Sequence, residues 1–579
     1  MKTESAMWGR KLLIAGLLIL GAGMAFGGQQ KISRDLESKT GSSATVDVIV
    51  QFNHVPTAYH HEKVTSRGGA IKRELGSFKG AAYTVPASGL ADLASDPEVV
   101  FISPDRPLKG AGSKPNAVND YHTGAINASA AWALGLHGNG IGVAVIDSGI
   151  ANVADINSAS IVYSQDFTGS GSAVDQYGHG THVAGIIAGN GSASSGSKYS
   201  YTFMGIASGV NLINLRALDQ NGAGTDSQVI AAIQTAIQLQ SKYNIRVINL
   251  SVGRPVWESY ALDPLCQAVE QAWKSGIVVV VAAGNYGRDN SAGTNGYGTI
   301  TAPGNDPYVL SVGAMNTKGT STPSSHVIAS YSSKGPSLFD HVVKPDIVAP
   351  GNLIDSLYIP GETINQQNPG YEIPQSLYIV NGPNKPSATY YALSGTSMAT
   401  PMVSGAVALL LQQSPALSPD QVKARLMKTA AKNLVPFNTA IDLATGQYFY
   451  DQADIFTVGA GYLDIRAALA NTDLAPAAAG SALSPIASVN PEGLVVMQAN
   501  GSSVLGSDSV LWGTSVLWGT SVLWGTNVEG QSVLWGTSTL AGESVLWGTG
   551  LVQADSVLWG TSLGSGSDQA AAGFTDDLP

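Results

Sequence analysis

The chain has 579 residues, of which 44% are hydrophobic, and its formal net charge is −11. This length exceeds one compact domain and is enough to build a large core. The negative charge and the lack of a long basic run exclude the electrostatic footprint of a nucleic-acid-binding protein. Cys266 is the only cysteine, so neither an intrachain disulfide nor a cysteine-based zinc or redox motif is available.

The first residues carry the pattern of an export signal. Arg10 and Lys11 precede an apolar run from Leu12 to Phe26, which matches a signal-peptide core and is short for a membrane span of roughly 20 residues. We predict a signal peptide over residues 1–27, and a retained membrane anchor is the alternative. Export without disulfides favours a bacterial protein that is secreted or held at the cell surface.

Residues 45–108 predict a small separate domain. Strand-like and helix-like segments alternate there in the order β-α-β-β-α-β, which is the ferredoxin-like arrangement. This fold alone names no function. The same segment contains His54, His60 and His61, which we interpret as a solvated surface cluster in preference to a metal site.

Residues 124–470 predict the largest domain, an α/β fold. Continuous β-branched runs indicate buried strands of a parallel sheet. These runs are Ile141–Asp147, Asn211–Leu218, Arg246–Gly253, Ile277–Asn285 and Tyr308–Ala314. Helical spacing appears between them, as in DSQVIAAIQTAIQLQSKY and LCQAVEQAWKSG. Because ligands bind at the carboxyl ends of such strands, polar residues at these ends are the candidates for chemistry.

Three polar residues stand at such positions. Asp147 ends the first strong strand, His179 precedes an apolar helix, and Ser397 begins a helix that is apolar nearly all round. Taken singly, each has a structural interpretation: a turn former, a capping or core histidine, and a helix cap. Together they supply a nucleophile, a base that is neutral near pH 7, and a carboxylate to orient that base.

The motifs VIDSGI, HGTHVAG and SGTSMATP, in the order Asp, His, Ser, resemble the signatures of the subtilase family of serine peptidases. The resemblance covers residues 45–470 and is greatest to the AprX-like branch. It implies a doubly wound, mostly parallel sheet. It also implies Asp147 as the orienting carboxylate, His179 as general base and then acid, and Ser397 as the nucleophile that forms an acyl-enzyme. Asn285 matches the asparagine of the family's oxyanion hole.

The same resemblance implies the substrate-binding residues. They are Ser251, Val252 and Gly253 for the extended substrate backbone, and Ala283, Gly284 and Thr301 for the pocket before the cleaved bond. Small, uncharged groups in this pocket favour broad specificity with a leaning to apolar residues. His182, in the same helix as His179, is similar to the family's structural histidine and is assigned to packing.

The family also implies a role for residues 45–108. They resemble an inhibitory propeptide that assists folding and then blocks the site with its C-terminal tail, with self-cleavage between Pro107 and Gly124. Many relatives bind calcium in the loop after the histidine helix. Here that loop, GNGSASSGSKYSYTFMG, is rich in serine and has almost no carboxylates, so no metal or other cofactor is assigned.

The C-terminal region is repetitive. We divide it into a linker (471–508), SVLWGT repeats (509–561) and a flexible tail (562–579). The hexapeptide SVLWGT occurs six times, with spacings that indicate a unit of six or twelve residues. Three interpretations remain open: a self-packed β stalk or spacer, attachment to a cell envelope, polysaccharide or protein substrate, and disorder.

Two functions from different classes follow. The first is a secreted serine endopeptidase, made as a zymogen, whose partners are polypeptide substrates and its own propeptide. The second is a surface or adhesive protein that keeps a peptidase scaffold for display through its tryptophan repeats. The complete triad and Asn285 favour the peptidase, because a display scaffold has no physical need for a nucleophile, a base and an oxyanion donor together.

Overall fold

A computed structural model gives the architecture of the chain. It describes residues 31–109 (except 38, 41, 43 and 76–78), 122–441 and 447–489, together with the backbone of short strands within 495–575. The predicted signal peptide, 1–27, lies outside the described residues. Among the residues that are described, no helix combines the length and apolar character needed to span a membrane.

The N-terminal unit has the predicted β-α-β-β-α-β order after a short first helix. Its helices are α1 (Arg34–Glu37), α2 (Ala58–Thr65) and α3 (Leu90–Ala94), and its strands are β1 (Thr45–Phe52), β2 (Ala70–Leu75), β3 (Gly80–Pro86) and β4 (Val99–Pro104). The strand order is β2-β3-β1-β4, with β1 antiparallel to both neighbours. This is the order of a ferredoxin-like sheet. One side of it buries its own apolar cluster, which includes Val48, Val50 and Leu90.

The histidine cluster of this unit is only partly at the surface. His54 is exposed, whereas His60 is 4% exposed and packs edge-on against Phe52. The expectation of a fully solvated cluster is therefore wrong for His60, because its position in α2 faces the sheet. His54, His60 and Glu98 place one ligand atom each within 4.8 Å of one another, but the Lys63 ammonium also binds Glu98.

The second, larger unit contains the helices and strands from residue 122 to residue 470. Its helices are α4 (His122–Ala125), α5 (Ala128–Trp132), α6 (His179–Ala188), α7 (Asp226–Tyr243), α8 (Pro264–Lys274), α9 (Thr363–Gln367), α10 (Thr396–Gln413), α11 (Pro419–Thr429), α12 (Ile455–Val458) and α13 (Ile465–Ala470). Its strands, after the connecting β5 (Pro107–Lys109), are β6 (Gly142–Asp147), β7 (Ile161–Asp166), β8 (Asn211–Arg216), β9 (Ala223–Thr225), β10 (Ile245–Leu250), β11 (Val278–Ala282), β12 (Leu310–Asn316), β13 (Val327–Ile328), β14 (Ile347–Pro350), β15 (Ile354–Leu357), β16 (Glu372–Pro374), β17 (Pro386–Leu393), β18 (Phe437–Ile441) and β19 (Tyr448–Gln452).

A mostly parallel sheet forms the centre of this unit, as predicted. Within the described residues it has eight strands in the order β13-β12-β11-β10-β6-β8-β7, with β14 paired to β12. All its pairs are parallel except β12 with β13. Helix α10 packs on β10, β11, β12 and β14 and is buried along nearly its whole length. This burial explains its apolar sequence and brings the start of α10 to the carboxyl edge of the sheet.

Residues 471–489, the described beginning of the predicted linker, pack on the larger unit. The Ala482 amide donates to the Asp420 carboxylate (2.7 Å), and the Val343 amide donates to the Pro485 carbonyl oxygen (2.8 Å). This segment ends in β20 (Ile486–Val489), which pairs with β21 (Val495–Ala499). The predicted boundary at residue 471 therefore marks a change in composition within a packed segment.

The backbone of the SVLWGT repeats forms short strands. Four of them, Val522–Trp524, Ser532–Trp535, Ser544–Trp547 and Val557–Trp559, pair in parallel with Trp opposite Trp. A second parallel pair, Val528–Glu529 with Leu540–Ala541, lies between them in sequence. This pairing follows the longer of the two predicted repeat lengths.

Candidate active site

The carboxyl edge of the central sheet brings together the three predicted catalytic residues. Asp147 is the last residue of β6, His179 is the first residue of α6, and Ser397 lies in the first turn of α10. Each is buried, with Ser397 3% exposed. The strand end and the two helix starts converge because α6 and α10 pack against each other.

Asp147 and His179 form a direct pair. His179 Nδ1 lies 2.8 Å from Asp147 Oδ1 and 3.0 Å from Oδ2. The Ser148 amide also donates to Asp147 Oδ1 (2.7 Å), which fixes the carboxylate. A proton on Nδ1 is therefore shared with the carboxylate, and Nε2 carries the lone pair. This is the tautomer that a general base requires.

The environment of His179 favours its protonated form. Burial alone lowers the pKa of an imidazole, but the charge of Asp147 and the hydrogen bond to it outweigh burial and raise the pKa of His179 above its usual value. His179 Nε2 is buried and has no hydrogen-bond partner among the described residues. An unpaired basic nitrogen in a buried position is available to accept a proton from a nearby hydroxyl.

Ser397 is held by Ser251 in this structure. Its Oγ donates to the Ser251 carbonyl oxygen (3.1 Å), and Ser251 Oγ donates to the Ser397 carbonyl oxygen (2.9 Å). The structure thus joins Asp147 to His179 by a hydrogen bond, but it does not join His179 to Ser397. It does place Ser397 against the segment that follows β10, which is the predicted substrate-binding segment.

Asn285 lies in the loop after β11 and is hydrogen-bonded to Thr396, the residue before Ser397. Its Oδ1 accepts from the Thr396 amide (2.9 Å) and from Thr396 Oγ1 (3.0 Å). The Gly284 amide donates in turn to Thr396 Oγ1 (3.2 Å). These bonds engage the oxygen of the Asn285 side chain and orient it, so its amide nitrogen remains a donor at the start of α10.

The predicted pocket residues come together around Thr301. Its amide and Oγ1 both bond the Ala283 carbonyl oxygen, at 2.9 and 3.2 Å. A Cβ added to Gly253 would lie 2.5 Å from Thr301 Oγ1, and one added to Gly284 would lie 2.6 Å from Thr301 Cγ2. Val252, beside Gly253, is 2% exposed. The two glycines therefore let Thr301 pack close to the backbone, because a side chain at either position would collide with it.

His182 occupies a packing position, as the resemblance implied. Its Nε2 lies 3.1 Å from the carbonyl oxygens of Ile354 and Tyr391. Burial lowers its pKa to about 3, so the ring is neutral. A neutral donor between two carbonyl groups has a structural role, connecting α6 to β15 and β17.

Asp175 is a positioning residue that the sequence reasoning missed. Its carboxylate accepts from the amides of Tyr177 and Gly178 and from the amide and hydroxyl of Thr181, at 2.7 to 3.0 Å. It therefore holds the turn that leads into α6 and so orients His179. The only signal in the sequence was an acidic residue four positions before the histidine.

Strand β9 is a second missed element. Gly222, just before it, packs on the ring of Tyr177, and Asp226, just after it, pairs with Arg254 beyond Ser251–Gly253. The Asp226–Arg254 pair thus connects β9 to the segment that contains Ser251, which hydrogen-bonds Ser397. Strand β5 of the N-terminal part pairs antiparallel with β9, Leu108 opposite Gly224, and we call the position that β5 takes along β9 the groove. Strand β9 gave no strand signal in the sequence because it is only three residues long and those residues are small.

The serine-rich loop after α6 folds around Asp155. Asp155 Oδ1 accepts from the Ala193 amide (2.5 Å) and Ser192 Oγ (3.1 Å), and Oδ2 accepts from the Tyr390 hydroxyl (2.6 Å). Protein donors therefore engage both oxygens of the carboxylate next to this loop. The donor set is not the group of carboxylate and carbonyl oxygens that calcium prefers.

Comparisons with known proteins agree with this geometry. A sequence model of the subtilase family matches residues 138–449. Serine protease AprX from Bacillus subtilis (strain 168) is 36% identical over 293 residues, which are 50% of this chain and 60% of that protein. Subtilisin E from the same organism is 33% identical over 398 residues, which are 67% of this chain and 86% of that protein.

A solved structure supports the fold. Fervidolysin from Fervidobacterium pennivorans, a keratinolytic enzyme related to subtilisin, aligns with a TM-score of 0.54 at 24% identity, covering 74% of this chain and 62% of that one. The chain thus spans most of Subtilisin E but less than two thirds of AprX and of fervidolysin.

Proposed function

The chain belongs to the subtilase family of serine peptidases, and from this membership we propose that Asp147, His179 and Ser397 are its catalytic triad and that it is exported as a self-processing zymogen. The observation that carries the triad is the buried Asp147–His179 pair, whose free Nε2 lies at the edge of the sheet where α10 presents Ser397. The signal-like residues 1–27 support export.

The reaction begins when the Ser397 hydroxyl leaves the Ser251 carbonyl oxygen and donates to His179 Nε2. Ser397 Oγ then attacks the carbonyl carbon of the substrate, the proton passes to His179, and the Asp147 charge stabilises the imidazolium. The Asn285 amide and the Ser397 backbone N–H stabilise the oxyanion. His179 returns its proton to the leaving amine, and water, activated by the same nitrogen, hydrolyses the acyl-enzyme.

Substrate preference follows from the pocket around Thr301. Gly253, Gly284 and Thr301 bring no charge to it, so it accepts apolar and medium-sized side chains and does not demand a basic one. An extended peptide binds along residues 251–253 through its backbone, which reads the chain direction more than the side chains. The enzyme is therefore a broad endopeptidase with an apolar leaning.

The N-terminal unit acts as the inhibitor. Its tail, β5, fills the groove beside β9, and Asp105 just before it accepts from the amide and hydroxyl of Ser227 at 2.8 and 2.6 Å. Gln51 reaches across to the Leu262 carbonyl oxygen (2.7 Å). A strand held in the groove excludes a substrate strand, so activity requires cleavage and release of this unit. The parallel pairing of the repeats supports their role as a β stalk.

Intact mass over time tests the proposal. We expect the chain expressed without residues 1–27 to lose its N-terminal unit by cleavage between Pro107 and Gly124, while Ser397→Ala stays full length. Ser414→Ala, the same change at the other end of α10, should process like the wild type. If wild type and Ser397→Ala both stay intact, or both are trimmed alike, the triad assignment fails and the display scaffold becomes the better explanation.

A further inference from the structure

A buried ion pair connects the N-terminal unit to the peptidase unit. Arg106 donates to both oxygens of Glu258, Nη1 to Oε1 and Nη2 to Oε2, each at 2.6 Å. The same guanidinium binds Asp35 at 2.9 and 3.0 Å. Arg106 is 4% and Glu258 is 6% exposed. Glu258 belongs to the peptidase unit, between β10 and α8, whereas Arg106 and Asp35 belong to the unit that is released.

The main chain of Arg106 is bound as a substrate main chain would be. The Asp226 amide donates to the Arg106 carbonyl oxygen (3.0 Å), which extends the β5–β9 ladder by one residue beyond Pro107. Such backbone bonds do not select a side chain. A substrate strand that lies along β9 in this register therefore places one of its own side chains where the Arg106 guanidinium now lies.

The peptidase unit leaves Glu258 in need of a cation. The nearby Arg254 binds Asp226 through Nε (2.9 Å) and Asp263 through Nη2 (2.7 Å). The Arg254 guanidinium is thus already engaged by two carboxylates, and Glu258 is a third carboxylate near it. Within the described residues, the cation that Glu258 contacts directly is Arg106. When the N-terminal unit departs, Asp35 leaves with Arg106, and Glu258 remains at the edge of the groove without its partner.

We propose that Glu258 selects arginine in substrates, at the position that Arg106 occupies beside β9. This inference rests on the proposed function, because it assigns a specificity residue to the same groove. Arginine fits better than lysine because its planar fork matches both carboxylate oxygens at once, as Arg106 shows. The enzyme then reads an apolar residue next to the cleaved bond and an arginine several residues before it.

Peptide cleavage by the processed enzyme tests this proposal. The substrates are synthetic peptides of residues 103–124 with arginine, lysine or citrulline at position 106, where citrulline keeps the shape and removes the charge. We expect the arginine peptide to exceed the citrulline peptide in kcat/KM by about tenfold, the effect of a charge-assisted hydrogen bond in a partly buried site. In Glu258→Gln the ratio of kcat/KM between the arginine and citrulline peptides should fall to about twofold or less. The control variant Glu270→Gln removes a carboxylate that pairs with Lys274 on α8, and it should retain the wild-type ratio.

The outcomes separate this inference from the proposed function. If the wild type cleaves casein but cuts the arginine and citrulline peptides equally, the selectivity is wrong and the peptidase assignment stands. If the preference persists in Glu258→Gln, Glu258 does not provide it. If the wild type cleaves neither casein nor any peptide, the proposed function fails and this inference with it. The three-peptide comparison on the wild type needs no variant, so a misfolded Glu258→Gln would not prevent the test.

Discussion

Asn285 has two separable roles within a single side chain. Its Oδ1 binds the amide and hydroxyl of Thr396 and so holds the first turn of α10. Its amide nitrogen is the proposed donor to the oxyanion. An aspartate in its place keeps an oxygen for Thr396 but removes the donor, whereas an alanine removes both.

We therefore expect Asn285→Asp to lower kcat by about 10²–10³ with a smaller change in KM, the usual effect of losing one oxyanion donor. Its melting temperature should remain close to that of the wild type, whereas Asn285→Ala should lower both kcat and the melting temperature. Steady-state kinetics on a peptide substrate, together with calorimetry, checks this. An aspartate variant with wild-type kcat would contradict the oxyanion role.

Glu362 is a buried carboxyl group beside Gly178, the residue before His179. Its Oε2 accepts from the Ile359 amide (3.0 Å), and a Cβ added to Gly178 would lie 2.7 Å from that oxygen. Its Oε1 is buried without a hydrogen-bond partner in the part of the chain that the structure describes. Burial, and then the charge of Asp175, raise the pKa of Glu362 to about 8. The folded protein therefore holds this proton over a pH range in which the unfolded chain has lost it.

The raised pKa of Glu362 makes the stability of the folded protein depend on pH. Between about pH 4.5, where an exposed glutamate titrates, and about pH 8, the folded state binds more protons than the unfolded state, so stability falls as pH rises. We expect Glu362→Gln to flatten this fall by about 3 kcal/mol between pH 5 and pH 8. Denaturant unfolding in the Ser397→Ala background checks it, with Glu270→Gln as the control. Equal slopes in Glu362→Gln and its parent would rule out this role.

The loop after α6 is held by protein hydrogen-bond donors. It follows a helix that carries His179, and it closes on Asp155 through Ser192, Ala193 and the distant Tyr390. These neutral donors stabilise the Asp155 carboxylate, and we expect them to fix the shape of the loop without a bound cation. Its stability should then depend on the Tyr390 hydroxyl.

We expect the metal chelator EDTA and added calcium each to change the melting temperature of the protein by no more than about 2 °C. Tyr390→Phe should lower the free energy of unfolding by about 1–2 kcal/mol, because the buried Asp155 carboxylate loses a hydrogen-bond donor. Differential scanning calorimetry of the Ser397→Ala protein gives both results. A calcium-dependent rise of several degrees would show that a cation site exists and that our interpretation of the loop is wrong.

At the scale of the whole molecule, the two units are connected by charge as well as by strand pairing. Arg106 and Glu258 are both removed from water, and the Arg106 guanidinium compensates the charge of the Glu258 carboxylate there. Burial raises the pKa of Glu258, and the nearby Asp263 raises it further. Removing the arginine alone would leave the buried Glu258 and the partly buried Asp35 without their shared cation.

We expect Arg106→Gln, in the unprocessed Ser397→Ala background, to lower the free energy of unfolding by about 3 kcal/mol, the usual cost of breaking a buried pair from one side. Arg67→Gln, which removes the pair with Asp92 within the N-terminal unit, should cost less than about 0.5 kcal/mol because that pair is partly exposed. Chemical denaturation followed by intrinsic fluorescence measures both. Similar losses in the two variants would show that burial does not strengthen the dependence on Arg106.

Local patterns determined much of the fold. Helix α7 was predicted from helical spacing and is found over the same residues, Asp226–Tyr243, because Thr225 caps its start and Asn244 ends it in a left-handed conformation with φ of 47°. The β-branched runs became the parallel strands, although β10 ends at Leu250, before the predicted Gly253. Beyond its end, Ser251 hydrogen-bonds Ser397 instead of a neighbouring strand.

By itself, the sequence determined the residue types of the candidate site, the family and the class of the sheet, since motifs and periodicity are properties of neighbouring residues. Only the tertiary structure decided that β5 lies beside β9, that Asn285 binds Thr396, and that Arg106 meets Glu258, 152 residues away. Such contacts depend on the order of strands and on which units dock. The free energy that selects them comes from burial of the whole assembled core, which no short segment contains.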